Sequence, residues 1–164
     1  VVDHLSKAFC GEGQHLYVPA VVSHVQTKRT LMKEDSIRQI MNAYDHLNVA
    51  LVGIGTADNT SSAFRSGYYS DEMKQRAVRD RVCGDICMHL FDKEGRTDCF
   101  PYNKQIVGVN LNKLKKVPYA IGIASGVRKA EAIRGAIKGG YINVLVTDAQ
   151  CGEALTRLND ELNN

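Results

Sequence analysis

Tyr119-Ala120-Ile121-Gly122-Ile123-Ala124-Ser125-Gly126-Val127-Arg128-Lys129-Ala130-Glu131-Ala132-Ile133 changes period halfway along, and that change decides the fold class. Tyr119 to Ala124 is a short apolar run, the reading of a strand buried on both faces. Ser125-Gly126 breaks it. Ala130, Ile133, Ala136 and Ile137 then recur at spacings of three and four, which predicts a helix, and Gly139-Gly140 stops it. A second apolar run, Ile142 to Val146, follows and ends in Thr147-Asp148. Strand, turn, helix and strand make the βαβ unit of a parallel sheet. Ligands of such sheets sit beyond the carboxyl ends of the strands, where Ser125-Gly126 falls. Backbone N–H groups at that helix start suit an anion, and Lys129 stands one turn in.

Outward from this unit, strand and helix patterns alternate. Residues 1–12 read as a short helix, and His15 to Val22 as a strand that Pro19 confines to an edge or an end. Ile37, Ile40, Met41 and Tyr44 make one face of a helix over 35–46, capped by Asp35 or Ser36. Val49 to Ile54 reads as a buried strand, followed by a polar loop from Ala57 to Ser62. Ser70 is the expected N-cap of a helix over 71–80. Asp92-Lys93-Glu94-Gly95 reads as a turn, Arg96 to Tyr102 as extended chain, Gln105 to Asn110 as a strand, and Leu111 to Lys116 as one helical turn. A last helix is expected from about Ala149 to Leu162, packing through Ala154, Leu155 and Leu158. The sum is an α/β fold with a mostly parallel sheet flanked by helices.

Composition narrows the function. The 164 residues suit one domain with a real core. A charge of +3, from 21 Lys and Arg interspersed with 18 Asp and Glu, does not by itself support a nucleic-acid surface. No apolar run is long enough to span a bilayer, so no membrane partner is expected. The five cysteines, Cys10, Cys83, Cys87, Cys99 and Cys151, match no paired zinc spacing. Cys83 and Cys87 would meet only on a helix, with no second ligand pair nearby. Reduced thiols in a cytoplasmic protein and no metal are the expectation.

Candidate chemistry is sparse. Asp85 stands in the otherwise apolar run Val82 to Phe91, where a lone carboxylate is costly unless it is partnered. It reads either as the N-cap of a helix starting at Ile86 or as an acceptor for ligand hydroxyls. Lys129 on spacing alone would be a solvated helix residue. His89 and Asp92 read as structural or surface groups. Gly53-Ile54-Gly55 lacks the third glycine and the Gly-Lys-Thr/Ser of a phosphate loop. No nucleophile elbow or His-Glu-x-x-His is present, and no cofactor is indicated.

One ordered series of motifs does carry a resemblance. Leu51-Val52-Gly53-Ile54-Gly55, Ser66-Gly67-Tyr68, Gly84-Asp85-Ile86, Phe91-Asp92-x-x-Gly95, Ile106-x-Gly108, Leu114-Lys115-x-Val117-Pro118, Lys129-Ala130-x-Ala132-Ile133 and Gly139 to Asp148 follow one another. The series resembles the effector-binding domain of the SorC (SorC/DeoR) family of bacterial transcriptional regulators, from about Val18 to Leu158. The resemblance implies a fold similar to the sugar-phosphate isomerase and CoA-transferase-like folds. It implies a phosphorylated sugar or sugar-like effector, and no turnover. Asp85 matches the aspartate of the family's Gly-Asp-Ile motif. Lys129 matches the lysine of its Gly-Gly-x-x-Lys motif, with Ser125 and Gly126 in the two glycine positions. Asp85, Lys129, Gly126, Ser125 and Gly55 are the expected ligand-binding set.

Three departures stand out. Ser125 replaces the first glycine and Arg128 is added. Cys87 replaces the small residue that usually follows Gly-Asp-Ile. The family's helix-turn-helix region and first phosphate-loop strand do not occur in this sequence. Residues 1–164 are therefore expected to be the C-terminal part of a regulator that meets DNA only through that region and forms a homo-oligomer, with an exposed edge or self-associating surface. Two alternatives remain at this point: a sugar-phosphate isomerase or deaminase-like enzyme using Asp85 and Lys129, and an oligomerisation module whose site has decayed.

Overall fold

The computed structural model describes residues 1–58 and 61–160. The helices are α1 (Val2–Ala8), α2 (Val25–Leu31), α3 (Asp35–Ala43), α4 (Ser62–Arg65), α5 (Asp71–Arg79), α6 (Leu111–Leu114), α7 (Ala130–Lys138) and α8 (Ala149–Asp160). The strands are β1 (Val49–Thr56), β2 (Gly84–Ile86), β3 (His89–Phe91), β4 (Tyr119–Ile123) and β5 (Val144–Val146). They form one sheet in the order β3-β2-β1-β4-β5. β1, β4 and β5 run parallel, and the β2–β3 hairpin is added antiparallel to β1. The expected parallel core is present, in a mixed α/β sheet.

The opening unit folds as its period change predicts. β4 leads through a 3-10 turn, Val127–Lys129, into α7, and Gly139 and Gly140 end that helix. Asn143 then ties the unit together, accepting from Ala120 N–H and donating to Pro118 C=O, both at 2.9 Å. α7 lays Ala132, Ile133 and Ala136 on the sheet, where they pack with Ile54, Ile86, Phe91 and Ala120. Ala154, Leu155 and Leu158 of α8 pack against the same core. A second core, of Phe64, Tyr69, Ala77, Leu90, Phe100 and Tyr102, lies under α4 and α5. Ser70 caps α5 as expected, accepting from Met73 N–H at 3.2 Å.

Several expectations are corrected. Tyr119 to Ala124 and Val49 to Ile54 are not buried on both faces: Val49, Leu51, Tyr119 and Ile123 are each about half exposed. The second run is strand only over β5, with Val144 and Val146 exposed. His15 to Val22 and Gln105 to Asn110 are not strands. They meet each other through the single bridge Val21–Ile106 and two flanking hydrogen bonds. Pro19 offers no N–H to extend a ladder on one side, and the 3-10 turn Pro101–Gln105 occupies the other. That turn also shortens the extended chain expected to Tyr102. α3 starts after Glu34 with no side-chain cap, so neither Asp35 nor Ser36 caps it. Cys83 and Cys87 flank β2 rather than sharing a helix, and among the described residues no cluster of ligating side chains could hold a metal. The turn Asp92 to Gly95 is present. The Asp92 carboxylate accepts from Glu94 N–H, Arg96 N–H and Arg96 Nε at 2.7–3.0 Å. Part of the expected polar loop and the helix end at Leu162 lie outside the described residues.

Candidate functional site

Strand alternation sets the site. Ile54, Ile86 and Phe91 enter the core under α7, so their neighbours Gly55, Asp85 and Leu90, which pair across β1–β2–β3, face the other way. Asp85 is thus a strand residue, not a helix cap. Its side chain lies over Gly55, where any Cβ would overlap Asp85 Oδ1; glycine here leaves room for a carboxylate. Asp85 is 6% exposed, and its Oδ1 is buried without a hydrogen-bond partner among the described residues. Burial raises its pKa to about 6, against the opposing pull of the Lys129 charge and a hydrogen bond from Met88 N–H.

Lys129 arrives from the turn after β4. Its ammonium donates to the Ile54 carbonyl at 2.8 Å, which holds the group over the end of β1 and leaves two donors. Gly126 takes φ of +95° to make the turn, a conformation that costs other residues strain. The turn is not a free anion nest. Asp148 takes the Gly126 N–H while also capping α8 through Cys151 N–H, and these donors hold its carboxyl below the usual range. Gly126 therefore shapes the site rather than offering a donor.

Asp85, Lys129, Gly126, Ser125 and Gly55 all line one cavity of about 1000 Å³ at the carboxyl ends of β1 and β4. Sequence reasoning missed the opposite wall. Ser61, Arg65 and Tyr68 come from the segment around α4, and Cys87 and Met88 from the hairpin turn. The polar loop after β1 was the available signal for the first group. For the second it was Cys87 in a small-residue position. Cys87 and Met88 form a two-residue loop with φ of +50° and +67°, the positive angles of a type I′ turn, which explains why a small residue suits that place. At the rim, Arg128 reaches Asp58 at 3.4 Å, linking the loop after β1 to the turn after β4.

Comparison with known proteins agrees with this architecture. Residues 1–157 match the family described as "Putative sugar-binding domain". The chain is 33% identical over 154 residues to the deoxyribonucleoside regulator of Bacillus subtilis (strain 168), covering 94% of this chain and 49% of that protein. It is 38% identical over 143 residues to the transcriptional regulator LsrR of Escherichia coli O9:H4 (strain HS), covering 85% and 45%. The crystal structure of the full-length sorbitol operon regulator SorC from Klebsiella pneumoniae superimposes with a TM-score of 0.84 at 30% identity, covering 92% of this chain and 49% of that one. The chain thus spans about half the length of these relatives. All three are named as regulators, LsrR as a transcriptional one, which sets the enzyme alternative aside.

Proposed function

The chain belongs to the sugar-binding domain family of SorC/DeoR-type transcriptional regulators, and from that premise we propose that its cavity senses a phosphorylated sugar or sugar-like metabolite. The observation that carries the reading is Asp85: a buried carboxylate oxygen without a partner, in the same cavity as a lysine ammonium. A carboxylate accepts from the hydroxyls of a polyol, often two at once. The free donors of Lys129 suit a ring, carbonyl or phosphate oxygen. Ser125 adds a hydroxyl, and Gly55 and Gly126 keep the floor open. Arg65 and Arg128 at the wall and rim give the cavity the positive charge that a phosphate needs.

In this reading residues 1–164 are the effector-sensing part of a cytoplasmic regulator. Effector binding would change the oligomer and thereby the DNA contacts of a helix-turn-helix region outside this sequence. No described helix is long and apolar enough to cross a membrane. The test is a thermal-shift panel of phosphorylated sugars and their unphosphorylated parents, with wild type beside Lys129→Ala and Asp85→Asn. A ligand at 100 times its Kd is expected to raise Tm by about 5–10 °C. The rise should require the phosphate and be lost in both variants. A rise that both variants keep, or a flat panel with folded protein, would overturn the proposal.

A further inference from the structure

A second cavity, of about 450 Å³, lies on the other side of the β2–β3 hairpin, between α2, α3, α6 and the chain after β3. The hairpin turn separates the two: Cys87 and Met88 line the first cavity, whereas His89, one residue on, lines the second. The walls of the second are basic. Lys28, Arg38, Lys104 and Lys113 line it against the single carboxylate of Asp98. Arg38 pairs with Asp35 and Lys113 with Asp45. Among the described residues Lys28 and Lys104 have no such carboxylate.

Two of these groups are positioned rather than loosely solvated. Lys28 is half-buried, and burial lowers its pKa, so its ammonium is short of the water that would stabilise it. His89 is fixed by Cys87, whose carbonyl lies 3.0 Å from Nδ1. A carbonyl can only accept, so Nδ1 carries the proton and Nε2 presents a lone pair. Burial, joined by the Lys28 charge, lowers the pKa of the ring to about 4 despite that carbonyl. The ring is uncharged at neutral pH. The cavity therefore offers ammonium donors for an anion and a fixed acceptor for a hydroxyl.

We propose that this second cavity binds a small phosphate-bearing anion through Lys28 and Lys104, with His89 Nε2 accepting from a hydroxyl where the ligand has one. A solvated basic face would scatter its charges on open surface. Here a half-buried lysine, an oriented imidazole and three further cations line one concavity.

The experiment follows the His89 ring Hε1 by proton NMR in the 164-residue chain, assigned by its loss in His89→Gln. Inorganic phosphate and glucose 6-phosphate are titrated in parallel, with sodium chloride at matched ionic strength as the control. Saturable movement of the His89 signal by either probe is expected. At least fivefold weaker binding in Lys28→Gln and in Lys104→Gln, and an unchanged curve in Lys129→Ala, are expected too. Tighter binding of glucose 6-phosphate than of phosphate would assign the hydroxyl contact; equal binding would assign the site to free phosphate. A linear drift matched by sodium chloride would overturn the proposal. So would a curve lost in Lys129→Ala but kept in both second-cavity lysine variants, because the signal would then report the first cavity.

Discussion

The sheet face opposite α7 has two halves that meet at the first cavity. Over the hairpin, that face is covered: Leu90 of β3 is fully buried beneath Phe64, Tyr69 and Ala77 from the α4–α5 region, and Tyr69 Oη donates to Met88 C=O. Over the parallel strands, it is bare. Val49 and Leu51 of β1, Tyr119 and Ile123 of β4, and Val144 and Val146 of β5 pair in register and are between 37% and 60% exposed. Both halves are written in the same apolar residues. Parallel strands with apolar side chains on both faces are built to be covered twice, and a contiguous exposed row of this kind marks a contact surface. An apolar run thus specifies what a strand can bury; only the neighbouring helices decide whether it does.

The largest effect is expected in the covered half. Leu90→Ala removes a fully buried side chain from beneath two aromatic rings, and should cost about 3 kcal/mol of unfolding free energy. Urea denaturation would measure it as a lower midpoint at unchanged slope. A cost below about 1 kcal/mol would mean that α4 and α5 do not press on the hairpin, and the contrast between the halves would fail.

The boundary between the halves holds the next effect. Burial pushes the Asp85 carboxyl up to about 6 in the folded chain, against its ordinary value of 3.8. Between those values the folded protein holds more protons than the unfolded chain, so stability falls as the pH rises across that window. Below about 3.8 both states are protonated and the penalty is absent. At neutral pH the penalty amounts to up to about 3 kcal/mol. Asp85→Asn should therefore raise stability at pH 7 by roughly 1–3 kcal/mol and flatten the fall between pH 4 and 6. In the same protein it should abolish the sugar-phosphate shift. A variant that is less stable than wild type at pH 7 would show that Asp85 is a structural acceptor rather than a group held ready for a ligand.

What the sequence disclosed follows the same division. The strand–turn–helix–strand unit around Gly126 was legible because its period changes within a few residues and α7 packs locally on its own strands. Asp85 stood out as a charge in an apolar run, but its partner glycine lay thirty positions away. Only the register Gly55–Asp85 turns the run Val82 to Phe91 from a helix start into a hairpin. The polar loop after β1 hinted at Ser61 and Arg65 without naming them, because this segment reaches the cavity through tertiary placement, not spacing. The expectation was an exposed edge or a self-associating surface, and the exposed apolar feature in the structure is a sheet face. Val49 and Leu51 look the same in sequence whether or not a layer lies over them.

The smallest effect tests that last point. Leu51→Thr and Val146→Thr lie in the bare half, where each side chain already keeps about half of its surface in water. In the 164-residue chain studied at low concentration, each should change stability by no more than about 0.5 kcal/mol, or roughly 1–2 °C in Tm. Threonine is β-branched and suits a strand, so neither substitution puts a poor strand former into the sheet. The informative variable is protein concentration. If the wild-type Tm rises with concentration and the rise is lost in the threonine variants, a second copy covers the face by mass action. If Leu51→Thr costs as much as Leu90→Ala at every dilution, the face is buried within one chain and the two halves are equivalent. Small, concentration-independent changes leave the face bare in this chain, and the two halves then differ as the structure draws them.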